Sequence, residues 1–92
     1  DAMWFDVEYR IVYVHVDGER YMTNFSLREL DERLDPAMFF RAHKSRIVNL
    51  HHVKAIVPQS GSRFKLALRD KAGSQVELSR AQARELRARM NW

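Results

Sequence analysis

The sequence predicts a mainly β fold that carries two short helices. Short segments rich in β-branched and aromatic side chains recur along the chain, as is typical of strands. Turn-forming residues such as Asp17-Gly18 separate these segments. Only two segments combine the apolar spacing of a helix with a capping residue at their start. The chain, residues 1–92, is short enough to be one domain with one modest core.

Three strands are predicted at the front of the chain. Residues 3–8 carry aromatic side chains, and Ile11–Val16 is β-branched or aromatic at every position but one. Asp17-Gly18 can supply the two left-handed backbone positions of a tight hairpin turn. Residues 19–23 should therefore return antiparallel to the second strand.

A short helix is predicted after this hairpin. Ser26 and Glu29 have the spacing of a capping box, in which each side chain accepts a backbone N–H of the other residue. Three leucines follow at helical spacing, and Pro36 prevents continuation of the helix. Its outer face is acidic and would repel a polyanion, so we interpret the helix as structural. The acidic residues are Glu29, Asp31, Glu32 and Asp35.

The second half is predicted to continue as strands separated by turns. Residues 45–52 have no clear pattern and are predicted to be irregular, and Pro58 is predicted to end the strand before it. A second capping box, Ser79 with Gln82, predicts a C-terminal helix that ends near Met90. The strands are expected at Phe39–His43, 53–57, 63–69 and Gln75–Leu78, which gives six or seven strands in all.

Composition argues against several functional classes. There is no cysteine, so neither a disulfide framework nor a thiolate metal site is expected, and the chain suits the reducing cytoplasm, where we expect it to act. No apolar run approaches the roughly 20 residues that cross a bilayer, so no membrane contact is expected. None of the common catalytic motifs is present, so we do not expect an enzyme. The four histidines lack helical ligand spacing, and we expect no metal and no other cofactor.

Charge is distributed unevenly along the chain. Residues 1–40 carry four Lys and Arg against nine Asp and Glu, a net charge of −5, whereas residues 41–92 carry twelve against three, a net charge of +9. A basic half of this kind indicates a surface that meets a polyanion, with nucleic acid the leading candidate. A solvated basic surface without a partner explains the same charge.

Two segments of the basic half could present cations to nucleic acid. In the first, two phenylalanines precede a polar run, and aromatics buried at a strand end would determine where that run projects. In the second, arginines share one face of the predicted C-terminal helix, and the free N–H groups at its start suit a phosphate. A solvated helix face beside a core stripe remains the alternative. The candidates are Arg41, His43, Lys44, Ser45 and Arg46 in the first segment, and Ser79, Arg80 and Arg84 in the second.

Three segments together resemble the LytTR family of DNA-binding domains over nearly the whole chain. They are MWFDVEYRIVYVHVDGERYMTNFSLRELDERL, FFRAHKSRIVNLHHVKAI and VELSRAQARELRARM. The resemblance implies an elongated stack of small antiparallel sheets without a helix-turn-helix. It further implies sequence-specific binding of double-stranded DNA at imperfect direct repeats, with loops inserted into successive major grooves.

The same resemblance implies a biological setting. The resemblance implies the output half of a bacterial response regulator in a two-component system, with an upstream receiver domain, although some relatives carry membrane or other sensory segments instead. Dimerisation on tandem sites is compatible with it. Family members usually have strands before the segment that begins here, so the chain is expected to lack one or more N-terminal strands.

Roles for individual residues also follow from the resemblance. Arg80 is the residue expected to recognise a base, and Lys44 is expected to touch the DNA, mainly at a phosphate. A third loop of the family falls near Tyr9-Arg10. Asn49 is expected to be a structural hydrogen-bonding position, and His43 fits either a structural or a DNA-contacting role.

Two other functions stay open at this point. A β domain that binds RNA or single strands without specificity would need exposed aromatics on a sheet face for base stacking. The aromatics here lie mostly within apolar stripes, which favours a core position. A protein-interaction module whose basic half docks an acidic partner is the third possibility.

Overall fold

The computed structural model describes residues 2–92. Among these residues it contains eight strands, two α-helices and two single turns of 3-10 helix, the latter at Leu50–His52 and Ser60–Ser62. The strands are β1 Trp4–Glu8, β2 Ile11–Val16, β3 Glu19–Met22, β4 Phe39–His43, β5 Arg46–Asn49, β6 Val53–Gln59, β7 Arg63–Leu68 and β8 Gln75–Leu78; the helices are α1 Leu27–Arg33 and α2 Arg80–Met90.

The strands form two antiparallel sheets. One has five strands in the order β3-β2-β1-β5-β4, and the other has three in the order β6-β7-β8. The principal extents of 33 × 27 × 24 Å give a modestly elongated molecule. The predicted mainly β fold of small antiparallel sheets with two helices is confirmed. No helix among residues 2–92 has the length and apolar character needed to cross a membrane.

The five-stranded sheet packs against other elements on both faces. Ile47 packs with Phe5 and the leucines of α1 in one core cluster. Its neighbour Val48 packs with Leu66 of β7 and Leu86 of α2 in the other cluster. Successive side chains of a strand point to opposite faces, so β5 serves both cores. Consequently α1 lies on one face of this sheet, and α2 with the three-stranded sheet lies on the other.

The predicted start of α1 is confirmed. The hydroxyl of Ser26 accepts the N–H of Glu29, and the carboxylate of Glu29 accepts the N–H of Ser26, both at 3.1 Å. The backbone N–H of Ser26 and then its hydroxyl lower the pKa of Glu29 below its ordinary value of 4.5, because both stabilise the charged form. Leu27 and Leu30 are buried against the sheet.

Two predictions about strands are wrong. The segment predicted to be irregular contains β5, which pairs with both β1 and β4 and raises the number of strands to eight. Three of its four residues are buried, so it lacks the alternation that marks a half-exposed strand. Pro58 does not end β6, which continues to Gln59. Because β6 is an edge strand, a proline there is compatible with the sheet.

The second capping box is only half formed. The hydroxyl of Ser79 accepts the N–H of Gln82 at 3.2 Å, as expected. The side chain of Gln82 does not return to Ser79 but donates to the carbonyl oxygen of Arg41 at 2.6 Å. The apolar stripe of α2 packs as predicted, with Ala83 and Leu86 buried against the sheets.

Candidate nucleic-acid interface

Three segments with predicted site residues lie at the same end of the molecule. β5 runs antiparallel to β1 with Arg46 opposite Asp6, so the β1–β2 turn and the β4–β5 turn leave the sheet at the same end. His43, at the end of β4, and Ser79, at the start of α2, line one cleft. We call this end the candidate interface and define it by residues 9–10, 44–45 and 79–80.

The cleft next to the candidate interface holds basic residues that the sequence analysis did not assign to a site. It has a volume of about 400 Å³, and its walls include Arg63 and Lys65 of β7 together with His43 and Ser79. Alternation along β7 was the available signal, since it places basic residues on the face opposite Leu66. That alternation shows on which face of β7 a side chain lies, but it does not show which residues of other elements lie beside it.

The β4–β5 turn has a fixed geometry because two side chains bind its backbone. Nδ1 of His43 accepts the N–H of Ser45 at 3.3 Å and lies 3.2 Å from the Ser45 hydroxyl. Neutral His43 must then carry its proton on Nε2, which lies 3.5 Å from Glu77 Oε2. The guanidinium of Arg41 donates from Nε to the carbonyl of His43 at 3.0 Å and from Nη2 to the carbonyl of Lys44 at 2.5 Å.

The candidate arginines and lysine fall into two groups. Arg41 also pairs with Asp31 of α1, and Nη1 of Arg46 donates to the hydroxyl of Ser45 at 2.7 Å. These two guanidinium groups are held by partners within the domain. The others are exposed, and within the described part of the chain their side chains form no hydrogen bond or ion pair. This second group is Arg10, Lys44, Arg80 and Arg84.

The β1–β2 turn is held in an unusual backbone conformation. Tyr9 has a φ of 50° and Arg10 a φ of 66°, both in the left-handed region that non-glycine residues rarely adopt. Tyr9 is 91% exposed, and among residues 2–92 its side chain forms no hydrogen bond that would stabilise this conformation. The turn therefore displays an aromatic side chain at the tip of a tight hairpin.

Asn49 has the structural role that the resemblance implied. It is 1% exposed, its Nδ2 donates to the carbonyl of Ala2 at 2.9 Å, and its Oδ1 accepts the N–H of His51 at 2.9 Å. The side chain thus connects the segment before β1 to the 3-10 turn after β5. Both polar ends of this buried amide are satisfied.

Comparison with known sequences identifies the family. The sequence profile of the LytTr DNA-binding domain matches residues 1–91. The chain belongs to the LytTr DNA-binding domain family. It is accordingly a DNA-binding domain of the kind found in transcription regulation.

Relatives of this LytTr domain include regulators that are much longer. Sensory transduction protein LytT of Oceanobacillus iheyensis is 35% identical over 80 residues, which cover 86% of this chain and 32% of that protein. Transcriptional regulatory protein YpdB of Escherichia coli is 29% identical over 91 residues, which cover 99% of this chain and 37% of that protein. The LytTr domain thus spans about a third of the length of these curated relatives.

A solved structure has the same fold. A Bacillus cereus domain described as a LytTr DNA-binding domain superposes with a TM-score of 0.84 at 30% sequence identity. The match covers 99% of this chain and 82% of that one.

Proposed function

We propose that this domain binds double-stranded DNA in a sequence-specific manner through the candidate interface. The observation that carries the proposal is the convergence of three segments with exposed cations at one end of the molecule. Two of them are turns that project from the sheet, and a turn of this size fits a major groove without a recognition helix. As in the family, we expect the turns to enter successive major grooves at imperfect direct repeats.

Arg80 is proposed to recognise a base. It is the first residue of α2, and its backbone is held between the Ser79 cap and the buried Leu78 and Ala83. A guanidinium whose backbone is fixed in this way can offer two parallel donors to O6 and N7 of a guanine. The free N–H groups at the start of α2 and the hydroxyl of Ser79 suit a neighbouring phosphate.

The remaining cations are proposed to neutralise phosphates. Lys44 is exposed on the β4–β5 turn, and its compact ammonium suits phosphate better than the paired acceptors of a base. Arg84 on the exposed face of α2 and the two basic residues of the cleft, Arg63 and Lys65, extend the same positive surface. Arg10 adds a charge from the β1–β2 turn.

Three of the candidate residues are proposed to position the interface and not to touch DNA. Arg41, His43 and Arg46 are hydrogen-bonded to Ser45 or to the carbonyls of the β4–β5 turn. The N–H groups and the ring nitrogen that form these bonds are not available to a phosphate. Their proposed role is therefore to hold Lys44 and Ser45 in place.

The biological setting is proposed from the family. We infer that the domain acts in the cytoplasm as the output part of a longer bacterial response regulator with an upstream receiver domain. Two copies on tandem repeats would place their domains side by side on one face of the duplex. No enzymatic role is proposed for this domain.

The distribution of aromatic residues favours duplex DNA over RNA or single strands. The exposed ones, Tyr9, Tyr21, Phe25 and Trp92, lie in four separate parts of the chain, and only Tyr21 is on a strand, so they do not share one sheet face. Trp4, on the sheet, is stacked on His15 with ring centroids 3.7 Å apart and is not free for a base. Docking of an acidic protein to the basic half is the remaining competitor.

The test is binding by fluorescence anisotropy at several salt concentrations. The probes are a duplex selected from a random pool by the native protein, a scrambled duplex, one strand of the selected duplex, and its RNA equivalent. If about 4–7 phosphates are neutralised, the log–log salt slope for the selected duplex should be roughly −4 to −6. Equal affinity for selected and scrambled duplexes, or a slope near zero, would contradict sequence-specific DNA binding.

A further inference from the structure

The side chain of Gln82 connects two parts of the candidate interface. Gln82 occupies the third position of α2, where a capping box would direct its side chain to the backbone N–H of Ser79. Its Nε2 instead donates to the carbonyl oxygen of Arg41 at 2.6 Å, a partner 41 residues away in the chain. The first turn of α2 is thereby attached to β4.

Arg41 extends this connection to the β4–β5 turn. Its guanidinium donates to the carbonyls of His43 and Lys44, at 3.0 and 2.5 Å. One residue therefore accepts a hydrogen bond from α2 and donates two to the turn. The result is a continuous path of hydrogen bonds from the helix start that presents Arg80 to the turn that presents Lys44.

A weaker contact joins the end of β4 to β8, the strand that precedes α2. His43 Nε2 lies 3.5 Å from Glu77 Oε2, but the side chain of Glu77 is 65% exposed. Solvent screens an exposed pair of this kind, and such pairs contribute little. The shorter hydrogen bond of the partly buried Gln82 is therefore the main polar connection between the turn and α2.

We infer that Gln82 is a positioning residue for DNA recognition, which sets the separation between the β4–β5 turn and the start of α2. The inference rests on the proposed function, in which Lys44 and Arg80 contact the same duplex. Two contacts contribute fully to affinity only when both groups are already arranged before binding, because ordering them on the DNA costs free energy. Without the Gln82 hydrogen bond, the turn and the helix would have to be aligned by the DNA itself.

The experiment compares Gln82→Met with a matched control, Gln75→Met. Methionine keeps the length and helix propensity of glutamine and removes the N–H donor. Gln75 is exposed at the start of β8 and forms no side-chain hydrogen bond, so the same exchange there should change nothing. Binding is measured on the duplex that the native protein selects from a random pool and on a scrambled duplex.

The expected result is a selective loss. Gln82→Met should bind the selected duplex about tenfold more weakly, which corresponds to about 1.4 kcal/mol, while binding to the scrambled duplex changes by less than about twofold. Its melting temperature should stay near that of the native protein. The NMR amide signals of Lys44 and Ser45 should shift, since Arg41, which binds the carbonyls of His43 and Lys44, loses its hydrogen bond from α2, and Gln75→Met should leave these signals in place.

A second variant separates the hydrogen bond from the stability of α2. Gln82→Glu supplies the carboxylate that a capping box prefers, so it should hold or raise the melting temperature while it removes the donor to Arg41. The ratio of affinities for selected and scrambled duplexes should fall as it does in Gln82→Met. If the role of Gln82 were purely structural, the melting temperatures of the two variants would change in opposite directions. The ratio of affinities for the selected and scrambled duplexes would then stay unchanged in both.

The outcomes distinguish this inference from the proposed function. If the native protein selects no duplex, the proposed function is wrong and the inference falls with it. If selection succeeds but both Gln82 variants keep the native ratio, the positioning role is wrong and DNA binding stands. A uniform loss of affinity on both duplexes, with the Lys44 and Ser45 signals unmoved, also overturns the positioning role.

Discussion

The two ends of the five-stranded sheet contain the same kind of hairpin turn built from different residues. At one end Asp17 and Gly18 connect β2 to β3 with φ values of 46° and 91°. At the other end Tyr9 and Arg10 connect β1 to β2 with φ values of 50° and 66°. Both turns place two successive residues in the left-handed region, as a type I′ hairpin turn requires.

The difference lies in how well the residues suit the turn. Asp-Gly is a preferred pair, whereas a left-handed residue with a large side chain costs roughly 1–2 kcal/mol. No described contact of the 91% exposed Tyr9 side chain offsets this cost. Strain that the fold does not require tends to collect at functional sites. The comparison therefore supports a role in recognition for the β1–β2 end and a purely structural role for the β2–β3 end.

The largest effects are expected for two substitutions that distinguish base recognition from phosphate binding at the candidate interface. Arg80→Ala should cost about 1–3 kcal/mol on the selected duplex and flatten the preference at one or two base positions. Lys44→Ala should weaken selected and scrambled duplexes alike and reduce the salt slope by about one unit. Both variants are measured on both duplexes across salt, with melting curves as the control. If Lys44→Ala alone relaxes the sequence preference, the two roles are assigned wrongly.

The second prediction replaces the unfavourable turn with a favourable one. The double variant Tyr9→Asn with Arg10→Gly should raise stability by about 1–2 kcal/mol, because this pair suits two left-handed positions. It should also weaken binding to the selected duplex by about tenfold. Stability is measured by urea unfolding and affinity by anisotropy. A more stable protein with native affinity would show that the strained turn has no part in DNA binding.

The third prediction concerns a substitution in the β2–β3 turn, at the opposite end of the sheet. Nothing lies within 4 Å of a Cβ added at Gly18, so Gly18→Ala should act only through its φ of 91°. The variant should lose about 1–2 kcal/mol of stability and bind the selected duplex as the native protein does at temperatures where both are folded. A selective loss of DNA affinity would contradict the assignment of this end as structural.

The smallest expected effect concerns the capping box of α1. Ser26→Ala should lower stability by about 1 kcal/mol without a change in DNA specificity. Glu29 contributes in its charged form, because hydrogen bonds from Ser26 lower its pKa below 4.5. Its contribution should be fully present above about pH 4.5 and be lost as the pH falls through the lower pKa of the folded state.

The pH dependence of this contribution can be measured with Glu29→Gln. The difference in melting temperature between this variant and the native protein should therefore narrow on acidification below pH 4.5. A difference that stays constant between pH 7 and pH 3 would show that the charge of Glu29 does not contribute.

Local patterns were the reliable guide to the fold. The Asp17-Gly18 hairpin, the Ser26–Glu29 capping box and the packed face of α2 depend on residues a few positions apart, and the structure contains all three. β5 was missed because one of its two neighbours, β1, comes from a distant part of the chain and because three of its four residues are buried. A short strand that is buried on both faces has no alternation to mark it.

For the candidate interface, the sequence identified basic residues without distinguishing their partners. Arg41, Arg46 and Lys44 look alike in the run of residues 41–46, yet two guanidinium groups bind the turn itself and the ammonium is exposed. Arg63 and Lys65 lie beside His43 only because β7 pairs with β8 and the end of β8 lies against β4. The DNA-binding role of these residues stays a prediction.

The family, the uneven charge and those elements whose signals lie within a few residues could all be recognised in the amino-acid sequence. Turn preferences, helix caps and side-chain alternation act over short distances, so they can be recognised before the chain folds. Tertiary structure alone decided which cations are exposed and that Gln82 bonds Arg41 instead of Ser79. A hydrogen bond between residues 41 positions apart depends on how two sheets and a helix pack, and no local pattern contains that distance.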